Sequence, residues 1–241
     1  MVIRNDLNCQ TLGSNVIIYT VLAGGYDTLP NHPDVDGCEF IAILDETTPM
    51  TSNSNWEIRR IKRQGLNSKD FNRYYKINPY LIFKGATLYI DANIEIHSSV
   101  SDLLQAFKDD QIAIFSHASR KTVEEELEVC RSLGLINPIE YLRTKKIVKI
   151  FQQHNVLTEN NIIYRADNYD IKSLMERWWE FYSTVAKRDQ LGLTLLKGSE
   201  SIQVVHHDLR RKYFTVHHHV PSKIKKLKLL KNRALNVFTR M

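Results

Sequence analysis

Ala86-Thr87-Leu88-Tyr89-Ile90-Asp91-Ala92-Asn93-Ile94-Glu95-Ile96 opens as an apolar run and is broken by Asp91 and Asn93. Residues 87–90 are β-branched, aromatic or aliphatic and predict a buried strand, with Asp91 and Asn93 where that strand stops. Side chains at i and i+2 share a face, so both can turn toward one cleft. There they offer hard oxygen ligands of the kind Mg2+ or Mn2+ accepts, with positions left for the phosphates of a substrate. The same two residues also suit a plain strand end closed by local side-chain to backbone bonds. Spacing alone leaves both readings open.

Working outward toward the N-terminus, Asn15-Val16-Ile17-Ile18-Tyr19-Thr20-Val21-Leu22 reads as a strand covered on both faces, broken at Gly24-Gly25-Tyr26-Asp27. Two glycines let backbone approach a ligand, but their spacing is not that of a dinucleotide fingerprint, and a turn explains them equally. Cys38 to Leu44 is the next strand and ends at Asp45-Glu46. Ligands in open α/β sheets bind beyond the carboxyl ends of strands, so Tyr19, Asp45 and Asp91 are expected to converge if these strands are parallel neighbours. Trp56 to Ile61 is a short strand, and Ser68 to Ile77 a helix capped by Ser68, with Arg73 and Lys76 on one face. That face is either solvated or set to balance a diphosphate.

Toward the C-terminus, helices are expected over Val100–Asp110, Thr122–Leu133, Pro138–Asn155 and Ile171–Ala186, with strands over Gln111–Phe115 and Asn161–Arg165. His117 follows one strand, and Glu124-Glu125-Glu126 opens a helix, where acids suit the dipole. Leu174, Trp178, Phe181, Tyr182 and Val185 form one apolar stripe, leaving Trp179 for a sugar or a partner. Lys187-Arg188-Asp189-Gln190 is a dense polar cluster at an element boundary. His206-His207 and His217-His218-His219 follow two further strand-like runs, and an imidazole can complete a shell begun by Asp91 and Asn93. Spacing does not single one out; His217 is taken as the candidate.

The chain has 241 residues, 43% of them hydrophobic, enough to bury a full core as one domain. Its net charge of +6 resides in 221–241, which holds seven Lys and Arg and no acid; without them 26 basic face 27 acidic residues. Nucleic-acid binding therefore has only the tail to rest on and is not expected. Ile224, Leu227, Leu230, Ala234, Leu235 and Phe238 at helical intervals make that tail a basic amphipathic helix, suited to an anionic membrane or to packing on the body. Three scattered cysteines without a CxxC pair argue against a disulfide framework or a thiolate zinc site. With no signal-peptide core at the N-terminus, a cytoplasmic location is expected, with peripheral membrane contact through the tail.

Several elements read together resemble a known family: Ile18-Tyr19-Thr20 with Gly25-Tyr26-Asp27, Asp45, Arg73 and Lys76, Tyr89-Ile90-Asp91-Ala92-Asn93, His117 with Arg120, Trp178-Trp179, and Arg188-Asp189-Gln190. Over roughly residues 15–210 this order is similar to the glycosyltransferase-like family, long known as a domain of unknown function, of plant Golgi cell-wall proteins and bacterial polysaccharide loci. The resemblance implies an α/β, GT-A-like nucleotide-sugar transferase fold over 1–220, with a mixed, mostly parallel central sheet flanked by helices. It implies Mn2+ or Mg2+ held by Asp91 and Asn93, with His217 as the candidate to complete the shell, although Asn93 stands where related enzymes carry a second acid. Tyr19 and Asp45 would border the nucleoside, Arg73 and Lys76 the diphosphate. Arg120, Arg188 and Gln190 would join Asp91 in binding the donor, a UDP-sugar being favoured, and a glycan hydroxyl would be the acceptor. Asp189 would face the sugar and act as base, with His117 behind it. A catalytically inactive nucleotide-sugar or glycan binding module is the alternative; nucleotidyl transfer would want a carboxylate in place of Asn93.

Overall fold

The computed structural model describes residues 16–25, 29–49, 55–107, 112–151, 156–196 and 202–217. Tyr26, Asp27, His218, His219 and the basic tail over 221–241 lie outside the described residues. In chain order the elements are β1 (Val16–Leu22), β2 (Cys38–Leu44), β3 (Glu57–Arg60), α1 (Ser68–Ile77), β4 (Thr87–Ile90), β5 (Ile94–Ile96), α2 (Val100–Ala106), β6 (Ile112–Ser116), α3 (Val123–Ser132), α4 (Pro138–Phe151), β7 (Thr158–Arg165), α5 (Tyr169–Thr184), α6 (Asp189–Leu196), β8 (Ile202–Val205), α7 (Arg210–Tyr213) and β9 (Phe214–Val216).

Seven of the described strands form one sheet in the order β3-β2-β1-β4-β7-β6-β8. Only β7 runs antiparallel to its neighbours; the other pairings are parallel. The expected mixed, mostly parallel α/β sheet flanked by helices is therefore what forms. The apolar runs are continuous because both faces are covered. Ile18, Leu22, Leu88 and Ile90 face a core shared with Val100 and Leu103 of α2. Tyr19, Val21 and Tyr89 face the opposite core, with Phe71 and Ile77 of α1 and Leu174 and Trp178 of α5. A third cluster joins α3 and α4 to Phe181 and Leu191. Gly192 permits α6 to lie on α5, since a Cβ there would come within 2.8 Å of the Trp178 ring.

Asn67, not Ser68, caps α1, because its side chain accepts from the Asp70 N–H. The glycine pair after β1 is a turn: Gly24 and Gly25 take φ of +77° and +62°, and Gly24 packs against Ser68. Trp179, partly exposed, stacks on Tyr182 and meets the edge of Tyr74.

Before β2, His32 is buried beside Phe40 and Trp56, and its Nδ1 accepts from the Ile96 N–H at 3.1 Å. Burial pushes its pKa down to about 4, against the opposing charge of Glu95. The unfolded chain takes up this proton first, near pH 6.5, so the stability it contributes is whole above that pH. It is lost as pH falls toward the folded value. Between pH 7 and 5 the parent is expected to lose about 2 kcal/mol by this route. Urea unfolding of His32→Asn, whose amide oxygen can still accept from Ile96, should show that part of the loss removed; an unchanged pH dependence refutes it.

Candidate active site

The carboxyl edge of the sheet collects the loops after β1, β2, β4, β6 and β8, and antiparallel β7 brings its first residues to the same edge. Asp91 lies there, its N–H donating to the Asn161 carbonyl at 2.8 Å. Asp45 and Asp91 thus do share an edge, their strands running parallel on either side of β1.

At the centre lies Lys76, 2% exposed, on the inward face of α1. Its Nζ donates to Asp189 Oδ2 at 2.7 Å and lies 3.6 Å from Asp91 Oδ1. Arg73, one turn back on the same helix, brings Nε to 3.2 Å from Asp189 Oδ1. Tyr89 OH donates to Asp91 Oδ1 at 2.7 Å. The main chain of Asp189 is held as well: its carbonyl accepts from Trp178 Nε1 at 2.9 Å and Asn160 Nδ2 at 3.1 Å. Burial pushes the Asp189 carboxyl up, but Arg73, Lys76 and Arg188 more than offset it and hold it far below the usual carboxylate range. Asp189 is therefore a fixed anion, and so weakly basic a carboxylate makes a poor general base. Arg73 and Lys76 do share a face and reach the site, but the charge they balance here is that of Asp189 and Asp91.

Beside this network, the small sheet of β5 and β9 brings together residues far apart in sequence, pairing Ile94 with Val216 and Glu95 with Thr215. The His217 N–H donates to the Asn93 carbonyl at 2.8 Å, and Asn93 Nδ2 donates back to the His217 carbonyl at 2.5 Å. Asn93 Oδ1 is thereby separated from a committed nitrogen. The His217 ring reaches Glu95 Oε2 through Nε2 at 2.8 Å. Asn93, two residues after Asp91, and His217 are thus tied together from two distant segments, while the His217 ring itself is turned to Glu95.

Other expected site residues have structural work. Tyr19 is wholly buried three residues before the end of β1, and its OH donates to the Lys76 carbonyl at 2.9 Å. Burial raises its pKa to about 12. It does not border a nucleoside, because the strand places it in the core. Asp45 is also wholly buried, and Oδ1 accepts from the Thr48 N–H and hydroxyl at 2.7 and 2.5 Å. Its Oδ2 accepts from Thr47 Oγ1 at 3.1 Å with Arg63 Nε at 3.4 Å, so this carboxylate closes the turn after β2 and is spent there.

His117, Arg120, Arg188 and Gln190 assemble a second cluster around a residue that the sequence reading passed over. Glu126 is wholly buried in α3, in ionic contact with Arg120 Nε at 2.5 Å and Arg188 NH2 at 3.1 Å. Arg188 NH2 also donates to Gln190 Oε1 at 3.1 Å, and Gln190 Nε2 donates to the Thr158 carbonyl. His117 Nδ1 accepts from the main-chain N–H groups of Ser119 and Arg120 at 3.1 and 3.0 Å, so its ring braces a turn. Burial and then Arg120 lower its pKa. Glu126 could have been found: it shares the apolar stripe of α3 with Val123 and Cys130, whereas Glu124 and Glu125 are exposed.

No family model matches the chain, and no curated protein matches it. Among solved structures it is similar to mouse xyloside xylosyltransferase 1 in its apo form, at TM-score 0.43 and 7% identity over 80% of this chain and 84% of that one. It is similar to the WbbM bifunctional glycosyltransferase at 0.45 and 12%, covering 80% of this chain but 38% of that one. With the galactosyltransferase LgtC, solved with donor and acceptor sugar analogs, the values are 0.46 and 13% over 79% and 73%. Likeness at this level says nothing of substrate. Among the described residues no helix is long and apolar enough to cross a membrane.

Proposed function

We propose that this chain is a glycosyltransferase of GT-A type that moves a sugar from a nucleotide-sugar donor, a UDP-sugar being favoured, to a hydroxyl of a glycan acceptor in surface polysaccharide synthesis. One observation carries the reading. Asn93, two residues after Asp91 at the carboxyl edge of the sheet, is tied by a reciprocal pair of hydrogen bonds to His217, 124 residues further on. A carboxylate, an amide oxygen and an imidazole form a donor set suited to Mn2+, and less so to Mg2+, which prefers oxygen alone. Asn93 turns its nitrogen to the His217 main chain, which suits its oxygen to ligation, and the Asp91 side chain keeps 26% of its surface open. The donor chemistry of these residues suits a divalent cation, which would draw the His217 ring from Glu95.

Such an ion would supply charge neutralisation for the departing nucleoside diphosphate. Everything else falls to the chain. Asp91, Asn93 and His217 would hold the ion; Lys76 bridges Asp91 and Asp189 and fixes both in place, and Arg73 orients Asp189 from the other side. Asp189, anchored through both its carbonyl and its carboxylate, offers a sugar hydroxyl a rigid acceptor. Catalysis in this reading rests on positioning and on stabilising the leaving group, not on a strong base.

A thermal-shift panel of UDP-, GDP- and CMP-sugars, with and without Mn2+, tests this. At a hundred times its dissociation constant the right donor with Mn2+ should raise the melting temperature by roughly 5–10 °C. No shift with any nucleotide sugar defeats the proposal, and a shift without any transfer or hydrolysis makes the chain a binding module.

A further inference from the structure

We propose that His206, His207 and Asp208 form a second cation site, distinct from the Asp91 corner, that takes a borderline divalent ion of the Zn2+ class. These residues follow β8 at the carboxyl edge of the sheet, and among the described residues they alone bring three His, Cys, Asp or Glu ligand atoms within 4.8 Å of one another. Strand β8 is separated from β4 by β7 and β6. At strand spacing this puts roughly 14 Å between the two sites.

The spacing within the group is that of a coordination shell. His206 Nδ1 lies 3.4 Å from Asp208 Oδ2, and His207 Nε2 lies 3.4 Å from Asp208 Oδ1. Ligands about 2.0–2.1 Å from a tetrahedral zinc stand about 3.3 Å from each other. The His206 Nδ1 that faces this carboxylate carries a lone pair whose present partner is the Asp208 N–H at 3.4 Å, a long contact that an ion would replace. A lone pair facing carboxylate oxygens is repulsive until a cation lies between them.

His207 has the outer support that metal-binding imidazoles carry. Buried Ser116, at the end of β6, accepts from the His207 main-chain N–H at 3.1 Å and meets its Nδ1 at 3.3 Å. With the serine oxygen accepting from Nδ1–H, Nε2 keeps the lone pair a metal needs. The nearby guanidinium of Arg210 is neutralised by Glu159 at 2.5 Å and does not repel an ion. Two imidazoles and a single carboxylate favour zinc-class ions over Mg2+ or Ca2+.

The test is calorimetric titration of ZnCl2 into the full chain carrying Asp91→Ala, so that the other corner does not contribute. One Zn2+ is expected to bind, excess Mg2+ should not displace it, and adding His206→Ala with His207→Ala should abolish the transition. Ser116→Ala should weaken binding roughly 10- to 100-fold. Histidine 15N spectra of the unsubstituted chain give a second readout, since Zn2+ should shift the His206 and His207 ring nitrogens. Zn2+ binding that survives loss of both histidines, displacement by Mg2+, or unmoved ring resonances would each overturn the site.

Discussion

Replacing Lys76 by methionine is expected to cost the fold about 3–5 kcal/mol, the penalty for leaving a buried charge without its partner. The ammonium is 2% exposed and lies between Asp189 at 2.7 Å and Asp91 at 3.6 Å. Burial lowers its pKa, and the two carboxylates are what oppose this. Methionine preserves the stem and removes only the charge, so the loss would not come from a cavity. For a chain of this size the melting temperature should fall by roughly 10 °C. A double variant, Lys76→Met with Asp189→Asn, removes both members of the closer pair and should recover at least half of that loss, because neighbouring changes in one ion pair are not additive. Transfer activity should be lost in both variants. If the double variant is as unstable as the two single changes added together, the pair is not coupled and its role as the keystone of the site is wrong.

Asp91→Ala should behave in the opposite way, with little effect on stability and a large one on function. Its side chain is a quarter exposed and its ties to the body are one hydrogen bond from Tyr89 and the longer contact with Lys76. Losing them should cost about 1 kcal/mol. In the proposed role the same carboxylate anchors the cation that stabilises the leaving group, and removing one such electrostatic group commonly slows turnover roughly 100- to 1,000-fold. The Mn2+-dependent stabilisation by the favoured nucleotide sugar should vanish at the same time. A variant that keeps that stabilisation would show that Asp91 holds no ion.

The contrast between these substitutions follows from where charge sits relative to solvent, and it could not be read along the chain. Arg73 and Lys76 look alike in sequence, three residues apart on a polar helix face. Folded, Lys76 is buried while Arg73 keeps part of its surface open. Tyr19 and Asp45 showed the same limit: their positions on the strands were legible, but not that one hydroxyl is used by main chain inside the core and one carboxylate by its own turn.

What the sequence determined by itself was local and periodic. Continuous β-branched runs required a sheet covered on both faces, and β2, β4 and α1 fall on the residues their patterns indicated. It also placed Asp91 at the end of a central strand, because an acid ends an apolar run wherever the run meets solvent. The tertiary structure alone decided which distant groups meet. That β9 lies against β5, that Asp189 reaches Lys76, and that Glu126 gathers Arg120 and Arg188 all depend on closing long loops. The energy of those closures comes from the packed cores, and no single segment carries it in its own pattern.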